Sequence, residues 1–173
     1  MANIYTDLVK QTVEGYLTEE KLPTISNLPS PLAIRSSGCF VSIHTKDKDL
    51  LRGCIGTIMP THKSLGGEII ANAIEAAFHD PRFKPIEKKE LDKLKYSVDV
   101  LGKIEAVKSE NELDPEKYGV IVRSNDLIRS GLLLPNLEGI KDTETQIQIA
   151  REKGGIATDE EVLLYRFTAD RYE

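Results

Sequence analysis

The stretch that decides the fold runs from Gly38 to Ile58, GCFVSIH-TKDKD-LLRGCIGTI, in which two β-rich runs (Gly38–His44 and Leu50–Ile58) flank the charged segment Thr45–Asp49. Such a pairing around a polar turn signals a β-hairpin. Side chains alternate across a strand, so Cys39, Val41 and Ile43 share one face, and Phe40, Ser42 and His44 the other. On the return strand Leu51, Gly53 and Ile55 oppose Leu50, Arg52, Cys54 and Gly56. Burying the two apolar sets together sets Val41 near Gly53 and Ile43 near Leu51, because a one-residue slip carries Arg52 into the core. In that register Arg52 and Cys54 share a face with Ser42 and His44.

Working outward, the apolar spacing of Ile4, Leu8, Val9, Val13 and Leu17 predicts an amphipathic helix over 4–17. Three prolines make 22–32 an ordered crossing loop. Ser64 or Thr61 caps a helix carrying Leu65 to Phe78, which stops before Pro81. A short charged helix at 87–94 leads into strands at 96–101 and 103–107, and a second hairpin pairs 118–123 with 127–134 around Ser124-Asn125-Asp126. Thr143 and Gln146 form a capping box for a helix reaching Lys153, where Gly154-Gly155 ends it. A strand at 162–167 closes the chain. Strands and helices alternate irregularly and with hairpins, so the fold class is α+β, a mixed or antiparallel sheet with flanking helices.

The length of 173 residues suits one domain spanning 1–173, and 40% hydrophobic residues supply a core without staples. With 23 Lys+Arg against 28 Asp+Glu, the net charge of −5 argues against a nucleic-acid scaffold, which needs a basic face. Two cysteines and three histidines show no metal-ligand spacing, so neither a metal nor another cofactor is expected. No run approaches the roughly 18–20 apolar residues that cross a bilayer. The first twenty residues lack the uninterrupted apolar stretch of a secretory signal. A soluble, cytoplasmic protein is the expectation.

The chemistry concentrates in two places. In Leu51–Gly56 (LRGCIG) the two in-strand glycines mark a close approach of ligand or backbone, leaving the Cys54 thiol reachable. Arg52 on the same face favours a thiolate, and His44 is a base if the hairpin twist brings it near. Cys54, Arg52 and His44 are the candidate catalytic residues. Leu51, Gly53, Ile55, Gly56 and Ser42 are candidate ligand contacts. The competing reading makes Cys54 a small buried hydrophobe, Arg52 a partner for a carboxylate and His44 a solvated residue near a turn. Cys39 belongs to the core. In His79–Ile86 (HDPRFKPI), Arg82 and Lys84 sit where the helix dipole favours cations, and His79, Asp80 and Arg82 form a candidate rim for an anionic group. Two functions fit these residues, a thiol-based accessory or catalytic component and a non-catalytic protein-binding module.

GCFVSIH, LRGCIGT, HDPRFKPI, ELDKLKYSVDVL, YGVIV, GLLLP and FTADRYE, in this order, resemble the AMMECR-one family over nearly the whole chain. Its bacterial and archaeal members are labelled protein A of the AmmeMemoRadiSam system. The chain departs from the family's common KAG-[LI] at Lys153–Ile156 and has no tryptophan. The resemblance implies an α+β domain of two interleaved lobes. It also implies association with a Memo-like protein and a radical S-adenosylmethionine enzyme in a protein- or small-molecule-modification system.

Overall fold

A computed structural model describes residues 3–19 and 21–173. The chain divides into two compact units, one running to Leu101 and taking in Asp170–Glu173, the other Gly102–Ala169. Each has one four-stranded sheet, built from antiparallel pairs. The α+β class therefore holds. Among the described residues no helix is long and apolar enough to cross a membrane.

In the first unit the sheet order is β2-β1-β3-β8, from β1 (Cys39–Thr45), β2 (Leu51–Thr57), β3 (Leu94–Leu101) and β8 (Ala169–Tyr172). Helices α1 (Ile4–Thr18) and α3 (Leu65–Ile74) cover one face, burying Val9, Val13 and Ile69 against Val41, Ile43, Val98 and Val100. Asn3 caps α1 by accepting from the Tyr5 N–H, and Ser64 caps α3 by accepting from Gly67 N–H. The 22–32 segment is not only loop: it holds a 3₁₀ turn (Ile25–Asn27) and the start of α2 (Ser30–Ile34). The helix expected to reach Phe78 leaves α geometry at Ile74 and continues as a π-turn, Glu75–His79.

The second unit orders its sheet β4-β7-β5-β6, from β4 (Glu105–Val107), β5 (Gly119–Ser124), β6 (Ser130–Leu133) and β7 (Val162–Phe167), with α4 (Thr143–Gly154) packed on β5 and β6. Val120, Val122, Leu133, Ile147 and Ala150 form its core. The α4 cap is Asp142, which accepts from Thr145 N–H, rather than the Thr143 box the sequence suggests. Asp has the stronger acceptor and sits one residue earlier. Gly155, at φ 61, ends the helix in the left-handed conformation.

The hairpin register differs from the expected one by two residues: Val41 pairs with Ile55 and Ile43 with Gly53. A two-residue offset preserves parity, so Cys39, Val41 and Ile43 stay buried. Gly53 lies under the π-turn, where a Cβ would overlap the Ala76 carbonyl oxygen. Gly53 is the residue that lets this turn lie on the strand. A register irregularity follows between Ile43 and His44: His44 pairs with Leu51, and Arg52 has no partner on β1. Leu51 is therefore exposed rather than in the core, correcting its expected place beside Gly53 and Ile55.

Candidate functional site

β2 is an edge strand, whose outward N–H and C=O groups need partners from elsewhere. At Cys54 the HDPRFKPI segment supplies both. The Cys54 N–H donates to Asp80 Oδ2 at 2.9 Å, and Arg82 Nη2 donates to the Cys54 carbonyl oxygen at 2.9 Å. The same Asp80 carboxylate accepts from Arg82 Nε (3.0 Å), Nη2 (2.8 Å) and backbone N–H (3.1 Å). The Arg82 guanidinium holds the Asp80 carboxyl down at about 2, against an opposing push from burial and with help from the Cys54 N–H. The π-turn delivers this clamp, since it seats Ala76 on Gly53 and releases the chain at Asp80 beside β2.

The two motifs thus form one structure. Asp80 and Arg82 are paired with each other and with the backbone of residue 54. His79 turns elsewhere, its Nδ1 3.1 Å from Glu75 Oε1. Arg52 is likewise occupied: Nε and Nη2 donate to Glu90 (2.8 and 3.2 Å), Nη1 to Lys84 O (2.7 Å) and Nη2 to Pro85 O (3.2 Å). The guanidinium that touches residue 54 is that of Arg82. The competing reading of Arg52, a partner for a carboxylate, describes what its side chain does here.

Cys54 is a free, partly exposed thiol on the sheet face away from the helices. Ser42, its cross-strand partner, donates from Oγ to Cys54 Sγ at 3.3 Å. Next along the same row is Ser97 on β3, and one row over lies Asp99, opposite Phe40. Asp99 is buried and held by Arg171 of β8 through two bonds, Nε–Oδ1 at 2.8 Å and Nη2–Oδ2 at 3.0 Å. His44 shares this face but makes no hydrogen bond to Cys54. Ile55 packs against the core, and a Cβ on Gly56 would overlap the Phe40 ring. Cys39 lies on the other face, wholly buried, and burial pushes its thiol up to about 12. Of the two cysteines, Cys54 is the one that is partly exposed.

Ser97, Asp99 and Arg171 are the residues that sequence reasoning missed. The signal was present in Tyr96–Val100 (YSVDV), where small polar and apolar residues alternate as on a strand with one polar face. Glu68 is a second omission, an acid inside the apolar helix α3. Burial pushes its carboxyl up, but hydrogen bonds from Thr57 Oγ1, the His62 and Thr61 N–H groups (2.8 Å each) and Thr61 Oγ1 outweigh that and hold it below the usual range. It pins the loop that joins β2 to α3. Among the described residues no cluster of His, Cys, Asp and Glu could hold a metal ion.

Comparison with known proteins places this geometry among relatives. The AMMECR1 family model matches residues 6–172. A Thermotoga maritima protein is 44% identical over 171 residues, which cover 98% of this chain and 97% of that one. Protein CA_C1420 of Clostridium acetobutylicum is 42% identical across 98% of this chain, yet the chain spans only 36% of that protein's length. The crystal structure of the uncharacterized protein PH0010 from Pyrococcus horikoshii superposes with a TM-score of 0.86 at 30% identity, covering 96% of this chain and 88% of that one.

Proposed function

The chain belongs to the AMMECR1 family, and from that premise we propose that it is the recognition component of a modification system. It works with a Memo-like protein and a radical S-adenosylmethionine enzyme, and presents the polar face of the first sheet, with Cys54 as its reactive thiol, to a partner or substrate. The observation that carries this reading is the clamp on residue 54. Two side chains of a distant segment are spent on fixing the backbone beneath a partly exposed thiol. Working alongside other proteins is supported by CA_C1420, where the matched segment is a minor part of a longer chain.

The clamp also bears on the kind of chemistry. Nucleophilic thiols are activated by an adjacent base and served by oxyanion donors. The Ser42 hydroxyl donates to Cys54 Sγ, the Arg82 guanidinium lies beside the same side chain, and the Cys54 N–H is consumed by Asp80. This favours assisted chemistry or docking over an independent hydrolase or transferase. Native-state labelling with an aromatic disulfide reagent tests the thiol: wild type should react at one site and Cys54→Ala at none. A Cys54 that labels only on unfolding defeats the thiol assignment. Co-purification with the two proposed partners tests the system, and a persistently solitary chain defeats it. If the face only docks, Cys54→Ser leaves binding intact.

A further inference from the structure

We propose that a cavity of about 240 Å³ at one end of the polar sheet face binds a small zwitterion of amino-acid size. Its carboxylate would lie on Lys95 and Arg171, and its ammonium on Asp49 and Glu173. The inference deepens the reading of this face as the working surface and rests on it.

The lining selects the ligand class. His44, Asp49, Lys95, Ser97, Arg171 and Glu173 are among the residues that line the space, so side chains of both charges border it. A simple anion entering here meets two carboxylates, and a simple cation meets two cations. A molecule carrying both signs meets complementary charge at each end. Size excludes more: drug-sized ligands occupy roughly 300–1,000 Å³, and this cavity lies below that range.

The groups are prepared for exchange. Arg171 is fixed from behind by the buried Asp99, which takes Nε and Nη2 and leaves Nη1 for a ligand. The Lys95–Asp49 pair, 2.9 Å apart, is exposed at both ends, so opening it to admit a ligand costs little. A second, independent observation is Ser97. It is only 8% exposed and lines the cavity. Its hydroxyl can donate to a ligand carboxylate. Ser97 is also the cross-strand neighbour of Ser42, which in turn faces Cys54. Two strand spacings of about 4.8 Å therefore separate the cavity from the thiol.

The test is an amide NMR titration of the full chain with glycine, L-alanine and L-methionine, set against N-acetylglycine, which lacks the ammonium, and glycinamide, which lacks the carboxylate. Saturable shifts at His44, Ser97 and Arg171 are expected with the three amino acids, at least tenfold weaker with both blocked compounds. Lys95→Met and Asp49→Asn, changes at exposed positions that keep the fold, should each weaken binding at least fivefold. Absence of saturable shifts, or equal shifts with the blocked compounds, overturns the proposal. Labelling Cys54 in the same samples separates the two readings. A natively reactive Cys54 without ligand-dependent shifts rejects the cavity assignment alone, and saturable shifts with an unreactive Cys54 reject the thiol assignment alone.

Discussion

Asp80→Asn is the sharpest probe of the clamp on residue 54. The Asp80 carboxyl is 3% exposed as a residue and takes four hydrogen bonds, three from Arg82 and one from the Cys54 N–H. Its folded pKa of about 2 lies below the ordinary 3.8, a difference worth about 2 kcal/mol to the folded state at neutral pH. Because the folded value is depressed, this stabilisation is complete above the unfolded pKa and is lost as pH falls through about 2. The amide keeps the shape and loses the charge. At pH 7 the variant should be about 2 kcal/mol less stable in urea unfolding followed by circular dichroism. If the loss is local, exchange of the Cys54 amide hydrogen should quicken about 30-fold. The gap between the two proteins should close between about pH 4 and pH 2, as the native carboxyl takes up its proton. A gap that is constant over this range, or a Cys54 amide that exchanges equally slowly in both, refutes the assignment.

Other outcomes follow from single contacts. Gly53→Ala drives a Cβ into the Ala76 carbonyl, with Ala76 C at 3.0 Å, and backbone cannot yield as a side chain does; a loss of roughly 1–3 kcal/mol in urea unfolding is expected, and an unchanged midpoint would mean the π-turn does not rest on this strand. Glu68→Gln leaves the Thr61 and His62 N–H groups with one good acceptor fewer in a buried site, and should cost about 1–3 kcal/mol and raise protease cutting within 58–63. Gly155→Ala places a Cβ on a residue at φ 61 and should lower stability by about 1 kcal/mol, with Gly155→Asn milder, as read by thermal melting.

Parity was legible and register was not. The alternation of GCFVSIH assigns Cys39 to the core and Ser42 to the polar face, because period-two burial is a local property of the strand. The pairing itself is offset by two residues, and Gly53 packs under the carbonyl of Ala76, more than twenty positions along the chain, a contact no local pattern reveals. Arg52 shows the same limit. Its charge is plain in the sequence, but its commitment to Glu90 and to the Lys84 and Pro85 carbonyls depends on how a distant segment lies on the sheet edge. The strand Ala169–Tyr172 was missed for another reason: four residues, half of them charged, give no hydrophobic period to read. Its Arg171 is nonetheless the partner that makes buried Asp99 tolerable.

That last strand has a consequence for synthesis. The first sheet is complete only when β8 joins β3, and the residues Gly102–Thr168 lie between them in the chain. While the ribosome makes that stretch, β3 is a bare edge and Asp99 a carboxylate without its arginine. The first unit is therefore held unfinished until β8 has been made, with the β3 edge open to other unfinished chains.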